Sequence, residues 1–325
     1  MTSDGRHEVR VDHVAFVVNP SSGGGGGDRI YLAVANELRR HGVQIAAFET
    51  TLARGAAPAV QAALRAGFTE IWTIGGDGTI QEVLEPIIEA GAVLGPIPGG
   101  TSNRLVEVVG RHCDDPVAQA RWMMREPVGR MDVGKCNGRY FTVRAGIGFE
   151  AVVAGETEDD KLGLGNFAYV LATLRAARQV DTWQVRLTAG DEVVYEGPMV
   201  AGMFANVPVR VALRVPALEA ADPVDGDLHA IIVPERPGID ALWRWLTGMG
   251  PEPGRDELLE HGAPAYHMSV EGGAALHIDG EVAGTPEEID ACCLPGGLRV
   301  RGLDFSTSPA AAGASAAEDR RETTH

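Results

Sequence analysis

The 325-residue chain contains no apolar run of the roughly 18 residues that a bilayer-spanning helix needs, so no membrane span is expected. Its opening stretch, MTSDGRHEVRVDH, has no apolar core, so no secretory leader is expected. Cysteine is sparse. Cys113, Cys136, Cys292 and Cys293 match no zinc spacing, and adjacent cysteines rarely pair, so the expectation is reduced thiols in a cytoplasmic protein. Positive charge is in deficit, with 28 Lys and Arg against 45 Asp and Glu and a net charge of −17. That excludes a broad basic face for nucleic acid and disfavours purely electrostatic docking on an anionic membrane. His13, His41, His112, His229, His261, His267 and His277 are scattered, with no metal-binding pattern such as HExxH. No Gly-rich loop continues into Gly-Lys-Ser/Thr, and no GxGxxG follows the first apolar run.

The length suffices for two domains, and 45% apolar with 22% charged residues is ordinary for a globular chain. The first third alternates strand and helix patterns. HVAFVVNP (13–20) reads as a buried strand, DRIYLAVANELRRHG (28–42) as a helix and VQIAAFET (43–50) as a strand. APAVQAALRAG (57–67) reads as a helix, EIWTIGG (70–76) as a strand, TIQEVLEPIIEAG (79–91) as a helix and AVLGPIP (92–98) as a strand. Such alternation predicts a parallel sheet flanked by helices. After about residue 130 the pattern becomes strand-rich: 138–153, 183–197, 199–207, 228–234, 265–272, 275–282 and 297–303, with one long helix at 165–180. That spacing predicts an antiparallel sandwich or barrel. The expected domains are 11–132 (α/β) and 133–304 (β-rich), with the last strand a candidate to return to the first domain. The small, polar tail 305–325 is expected to be disordered.

Three loops follow apolar strands: NPSSGGGGG (19–27), GGDGT (75–79) and PGGTSN (98–103). In a parallel sheet they fall on one edge, at the strands' carboxyl ends, where ligands bind. Glycine lets main-chain N–H groups approach a ligand, and a following helix offers its positive end to phosphate. Asp77 repels bare phosphate but suits Mg²⁺, directly or through water, or a hydroxyl. The alternative is a Gly-Asp-Gly turn with Asp77 or Thr79 capping the helix. The SSGGGGGD stretch alone also reads as a flexible linker. Asp279-Gly280 alone reads as a type I′ hairpin turn, and Asp225-Gly226 as a turn.

Over about residues 12–303 the chain resembles the diacylglycerol kinase catalytic family, which includes sphingosine and ceramide kinases and soluble bacterial lipid kinases. VVNPSSG, GGDGTIQEVL, PGGTSNRLV, GRMDVGKCNGRYFTVRAGIGFEAVV, KLGLGNFAYVLATLRA, ADPVDGDLHAIIV and LHIDGEV resemble its motifs in order. The resemblance implies an N-terminal parallel-sheet nucleotide domain and a C-terminal antiparallel, sandwich-like domain, with the active site in the cleft. It implies ATP and Mg²⁺ and a hydroxyl acceptor on a lipid or lipid-like alcohol. Carried over, Asn19, Pro20, Ser21, Ser22, Gly23, Thr51, Gly75, Gly76, Asp77, Gly78, Thr79, Ile80, Gln81, Glu82, Gly100, Thr101 and Asn103 match nucleotide-binding positions. Asp222, Asp225 and Asp227 match a metal site built partly from main-chain carbonyls. Glu281 matches the proton acceptor, with Asp279 beside it and Asp77 on the nucleotide side. The resemblance further implies weak peripheral membrane contact and, as in many bacterial relatives, a homodimer.

Phosphoryl transfer needs neutralised charge and in-line positioning, which loops, Mg²⁺ and a carboxylate base supply. The chain departs from the motifs at Gln81, Glu150, Val224 and above all Arg104, which stands where an aspartate is usual. Arg104 either meets an acidic group on an unusual acceptor or pairs with Glu107 at i+3. His277 and Asp279 could share one strand face, although a satisfied strand histidine is the first reading of the pattern. Trp243 and Trp245 read as core, or as the border of an acceptor pocket. Two rival readings stay open: a kinase for a soluble alcohol or for NAD, and a non-catalytic nucleotide-binding regulator.

Overall fold

The computed structural model describes residues 11–20, 25–50, 55–100, 103–109, 114–148, 181–211, 215–217, 221–235 and 259–303. The expected helix at 165–180, the expected tail, Trp243 and Trp245, and the site positions Ser21, Ser22, Gly23, Thr51 and Thr101 lie outside them. The chain divides into two units, 1–131 with 296–325, and 132–295.

The first unit is the alternating α/β region. Strands β1 (His13–Val18), β2 (Gln44–Glu49), β3 (Glu70–Gly75) and β4 (Val93–Pro98) lie parallel in the order β2-β1-β3-β4. Every residue of β3 and β4 is buried, as a parallel sheet covered on both faces requires. Helices α1 (Gly27–Arg40), α2 (Ala57–Arg65) and α3 (Asp77–Ala90) occupy the expected spans to within two residues at each end. Val34 and Leu38 of α1 join Val14, Phe16, Trp72, Ile74 and Ile97 in one apolar cluster. That cluster also takes Ala120 and Met123 from α5 (Pro116–Met123), which follows the short α4 (Arg104–Val109). Neither α4 nor α5 was expected from periodicity. Yet α5 carries a local start signal: Pro116 in its first turn, and Asp115, whose side chain accepts the amides of Val117 and Ala118, both at 3.0 Å.

β5 (Val128–Cys136) leads into the second unit, whose described strands are mainly antiparallel. They are β6 (Arg139–Phe141), β7 (Arg144–Gly148), β8 (Trp183–Ala189), β9 (Glu192–Ala205), β10 (Val209–Val211), β11 (Val215–Ala217), β12 (Leu228–Pro234), β13 (Leu259–Ala263), β14 (Ala265–Val270), β15 (Leu276–Ile278), β16 (Glu281–Val282) and β17 (Glu288–Arg301). The long β9 pairs with β8 through its first half and with both β7 and β12 through its second. Phe141, Ile147, Leu187, Phe204, Ile232 and Met268 anchor the core. β17 starts against β14 and ends in the first unit, where Arg299 and Val300 pair parallel with Val93 and Leu94 of β4. The segment 297–303, grouped by pattern with the antiparallel strands, thus ends as a parallel strand.

Candidate functional site

In the first unit, strand order reverses direction between β1 and β3, so the loops after these strands flank a crevice at the carboxyl edge of the sheet. Four contacts join the loops there. Asn19, just past β1, donates from Nδ2 to the Thr79 hydroxyl at 3.1 Å, and its amide donates to the Ile74 carbonyl at 3.1 Å. The Gly99 amide donates to the Gly75 carbonyl at 3.1 Å. The Asp77 carboxylate accepts the Arg104 amide at 2.7 Å. Asn103, at φ +50°, turns the third loop; its Oδ1 accepts the amides of Gly99 and Gly100, and its Nδ2 donates to the Gly100 carbonyl.

Glycine is required where the second and third loops touch. A Cβ on Gly100 would stand 2.4 Å from the Gly76 Cα, closer than real contacts allow. Helix α3 then begins at Asp77 with Gly76 as its N-cap residue, and no side chain caps it. The expected alternative, a cap from Asp77 or Thr79, is therefore not what these residues do. Uncapped N–H groups and the positive helix end leave a natural place for an anionic group beside main chain that carries no side chains. Farther along α3, Ile80 is buried and Glu82 accepts the Ala56 amide at the start of α2. Gly78 and Gln81 lie in the first turns of α3, and Pro20 follows Asn19. Arg104 pairs with Glu107 at 2.9 Å, which is the i+3 alternative read from the sequence.

The second unit holds the other predicted residues. Asp279 and Gly280 form the two-residue turn between β15 and β16, at φ +48° and +95°, with Ile278 paired to Glu281. These values fit a type I′ hairpin turn. The Asp279 carboxylate also reaches across the chain. One oxygen accepts the Thr142 amide at 2.7 Å and its hydroxyl at 3.1 Å; the other accepts the amides of Val143 at 3.0 Å and Arg144 at 2.9 Å. This explains why the strand expected at 138–153 breaks into β6 and β7: Asp279 takes the amides at the junction. Burial pushes the Asp279 carboxyl above the ordinary carboxylate range, and the donors from Thr142, Arg144 and Val143 pull against that rise. Four donors fill the lone-pair sites of a carboxylate, leaving none for a substrate proton.

Glu281, two residues on, has a different setting. Its Oε2 accepts Arg139 Nη2 at 3.1 Å. His277 is buried, and its Nδ1 accepts the Gly280 amide at 3.4 Å. It sits within β15, while Asp279 lies in the turn beyond that strand. Arg139 and Thr142, which contact the two carboxylates, were not singled out from the sequence. They lie 142 and 137 residues from their partners, and the motif that contains them does not mark those partners.

Two of the three carboxylates expected at a metal site accept amides of their own turn. Asp222 accepts the Val224 amide at 3.2 Å, and Asp225 accepts the Asp227 amide at 2.9 Å. Asp225 also meets His229 Nε2 at 2.9 Å, while the buried Asp132 accepts the Gly226 amide at 2.7 Å. Among the described residues no three His, Cys, Asp or Glu side chains are grouped to hold a metal. Cys136, Cys292 and Cys293 are free thiols, and burial raises Cys136 and Cys293 to about 12, which makes them inert at neutral pH. No helix among the described residues is long and apolar enough to cross a membrane.

Residues 13–136 match the family model for the diacylglycerol kinase catalytic domain. A "Probable lipid kinase YegS-like" from Pseudomonas aeruginosa (strain UCBPP-PA14) is 32% identical over 184 residues, 56% of this chain and 60% of that protein. The matched region thus spans about three-fifths of the first curated relatives. A diacylglycerol kinase of Bacillus subtilis (strain 168) is 26% identical, over 64% of this chain and 68% of its own. A crystal structure of a diacylglycerol kinase from Bacillus anthracis str. Sterne superposes with a TM-score of 0.67 at 21% identity, covering 90% of this chain and 97% of that one. A second structure from the same organism reaches a TM-score of 0.76 at 23% identity, over 94% and 98%. At these identities the structural likeness establishes the fold.

Proposed function

We propose, from the premise that residues 13–136 belong to the diacylglycerol kinase catalytic domain family, that the chain is a kinase. It transfers the γ-phosphoryl group of ATP, taken up as its Mg²⁺ complex, to the hydroxyl of a lipid or lipid-like alcohol. The observation that carries this reading is the stitched glycine edge of the first unit, where Gly76 and Gly100 touch beside the uncapped start of α3. Main-chain amides in such an edge bind phosphate oxygens without strong base discrimination. Asn19 and Thr79 hold the loop after β1 against α3, and Asn103 holds the third loop closed. Ser21, Ser22, Gly23, Thr51 and Thr101 complete the nucleotide contacts in this reading.

Roles divide between the two carboxylates of the β15–β16 turn. Asp279 clamps the hairpin, because its oxygens are filled by Thr142, Val143 and Arg144. Glu281 is the proton acceptor in this reading: its carboxylate is partly exposed and meets the Arg139 guanidinium. Asp77 orders the third loop through the Arg104 amide. Mg²⁺ enters with ATP as substrate and supplies charge neutralisation on the phosphates. The chain works in the cytoplasm on an acceptor met at a membrane surface through weak peripheral contact, and a homodimer is the expected assembly.

The test uses purified full-length chain, ATP labelled at the γ-phosphate and diacylglycerol in vesicles, beside NAD and a panel of soluble alcohols. Label in phosphatidic acid, lost in Glu281→Gln, supports the reading. Label in NADP or only in a soluble alcohol replaces the acceptor. ATP binding with no labelled product from any acceptor supports the regulator instead.

A further inference from the structure

We propose that Arg139 is a positioning residue that holds the carboxylate of Glu281 ionised and aimed while the acceptor hydroxyl loses its proton. This rests on the reading of Glu281 as proton acceptor. Arg139 opens β6, and its guanidinium makes two contacts on the β15–β16 hairpin. Nη2 donates to Glu281 Oε2 at 3.1 Å, and Nη1 donates to the Val282 carbonyl at 3.4 Å. One planar group therefore ties the glutamate side chain to the main chain of the residue after it. A lysine ammonium, a single point donor cluster on a flexible stem, does not reproduce that fork.

The hairpin is fixed independently of this pair. The Asp279 clamp joins its turn to residues 142–144, and the Asp279 amide donates to the Arg144 carbonyl at 2.9 Å. Asn206, fully buried, braces the same segment from its other side through the carbonyls of Asp132 and Thr142. Losing Arg139 thus leaves the turn in place and removes the guanidinium from the Glu281 side chain. The pair itself is open to solvent, with side chains 40% and 38% exposed. Exposed pairs contribute little to folding, so the contact matters through what it does to Glu281. A fixed cation at this distance favours the ionised carboxylate.

The step balances without any further reactant. The acceptor O–H bond breaks and its proton passes to Glu281 Oε. The acceptor oxygen forms a bond to the γ-phosphorus, the β–γ bridging P–O bond breaks, and ADP leaves. Glu281 then gives its proton to water. The Arg139 guanidinium beside it disfavours the neutral acid, which promotes that release.

The test is a double-mutant cycle on the full chain with labelled ATP and diacylglycerol vesicles, using Arg139→Ala, Arg139→Lys, Glu281→Gln and Arg139→Ala with Glu281→Gln. A base contributes on the order of 10²–10⁴ in rate, so losing its orientation is expected to lower kcat by about tenfold or more, with the KM for ATP unchanged within about twofold. In the Glu281→Gln background, Arg139→Ala is expected to change kcat by less than about twofold. Arg139→Lys is expected to recover part of the loss, and carries the test if the alanine variant fails to fold. Equal losses in both backgrounds, or wild-type kcat in Arg139→Ala, overturn the proposal while leaving the kinase reading intact. Wild-type kcat in Glu281→Gln removes the base assignment and the proposal with it. No labelled product from the wild type overturns the kinase reading itself.

Discussion

Around Gly76 and Gly100 the first unit brings main chain against main chain; around Asp279 and Glu281 the second unit sets charged side chains against amides and a guanidinium. In the first region the absence of a side chain lets the loops meet, and each contact is set within a loop or by neighbouring parallel strands. In the second, the working groups depend on partners more than 130 residues away in the chain. A main-chain edge tolerates no added atom, whereas a carboxylate site tolerates isosteric change and fails through lost charge or lost donors.

The largest effect that follows is on turnover. Glu281→Gln keeps shape and removes the proposed proton acceptor, so kcat is expected to fall by about 10²–10⁴, with ATP affinity measured by calorimetry unchanged. If ATP affinity falls together with kcat, the division of labour between the regions is wrong. Gly100→Ala is the converse break. Its Cβ would press on the Gly76 Cα at 2.4 Å, and such overpacking costs about 1–3 kcal/mol. The loss should appear as weakened ATP binding, with the second unit's Asp279 clamp retaining its amide protection in hydrogen exchange.

The first unit also contains a side-chain network that sharpens the contrast. Buried Arg301 near the end of β17 forks onto Glu70, with Nε to Oε1 at 2.8 Å and Nη2 to Oε2 at 2.6 Å, and Trp72 Nε1 donates to the same carboxylate at 3.0 Å. Removing one partner of a buried pair costs about 3–5 kcal/mol, so Arg301→Met should lower the denaturant midpoint strongly. Arg301→Met with Glu70→Leu should regain much of that stability, because the stranded carboxylate is gone. Asp279→Asn is smaller. It leaves a donor facing main-chain amides, at about 1–3 kcal/mol, and should loosen the β6–β7 junction by hydrogen exchange.

The smallest effect is a dependence on pH. The Arg121 guanidinium beside Glu37, at 2.6 Å, holds that carboxyl down at about 2 from 4.5, with His41 adding to the pull. A depressed carboxyl stabilises the fold above its unfolded value and loses that contribution as pH falls through the folded one. The stability gap between wild type and Arg121→Met should therefore be constant above about pH 5 and close as pH falls from 4.5 towards 2. A gap that persists at pH 2 would show that packing between α1 and α5, and not the charge, is what Arg121 supplies.

The parallel strands, α1, α2 and α3 and the glycine loops were legible because each is coded locally, by apolar period or by glycine. α4 and α5 were passed over: α4 has six residues, and α5 follows a stretch with little period, although Asp115-Pro116 marked its start. In the second unit the turn at Asp279-Gly280 was readable, but not that Asp279 divides β6 from β7, because Thr142, Val143 and Arg144 carry no sign of a partner in the sequence. Arg104 offered two readings, and the Glu107 pair takes the local one. Asp222 and Asp225, read as ion ligands from the motif, also accept amides of their own turn, and Asp225 meets His229, contacts that spacing alone did not reveal.

The most direct measurement is to incubate the full chain with γ-labelled ATP and, separately, the lipid and soluble fractions of a cell extract, and to identify each labelled product by mass spectrometry. The account predicts a phosphorylated lipid alcohol in the lipid fraction and none when Glu281→Gln replaces the wild type. Label confined to the soluble fraction, or lipid labelling that survives Glu281→Gln, would contradict it.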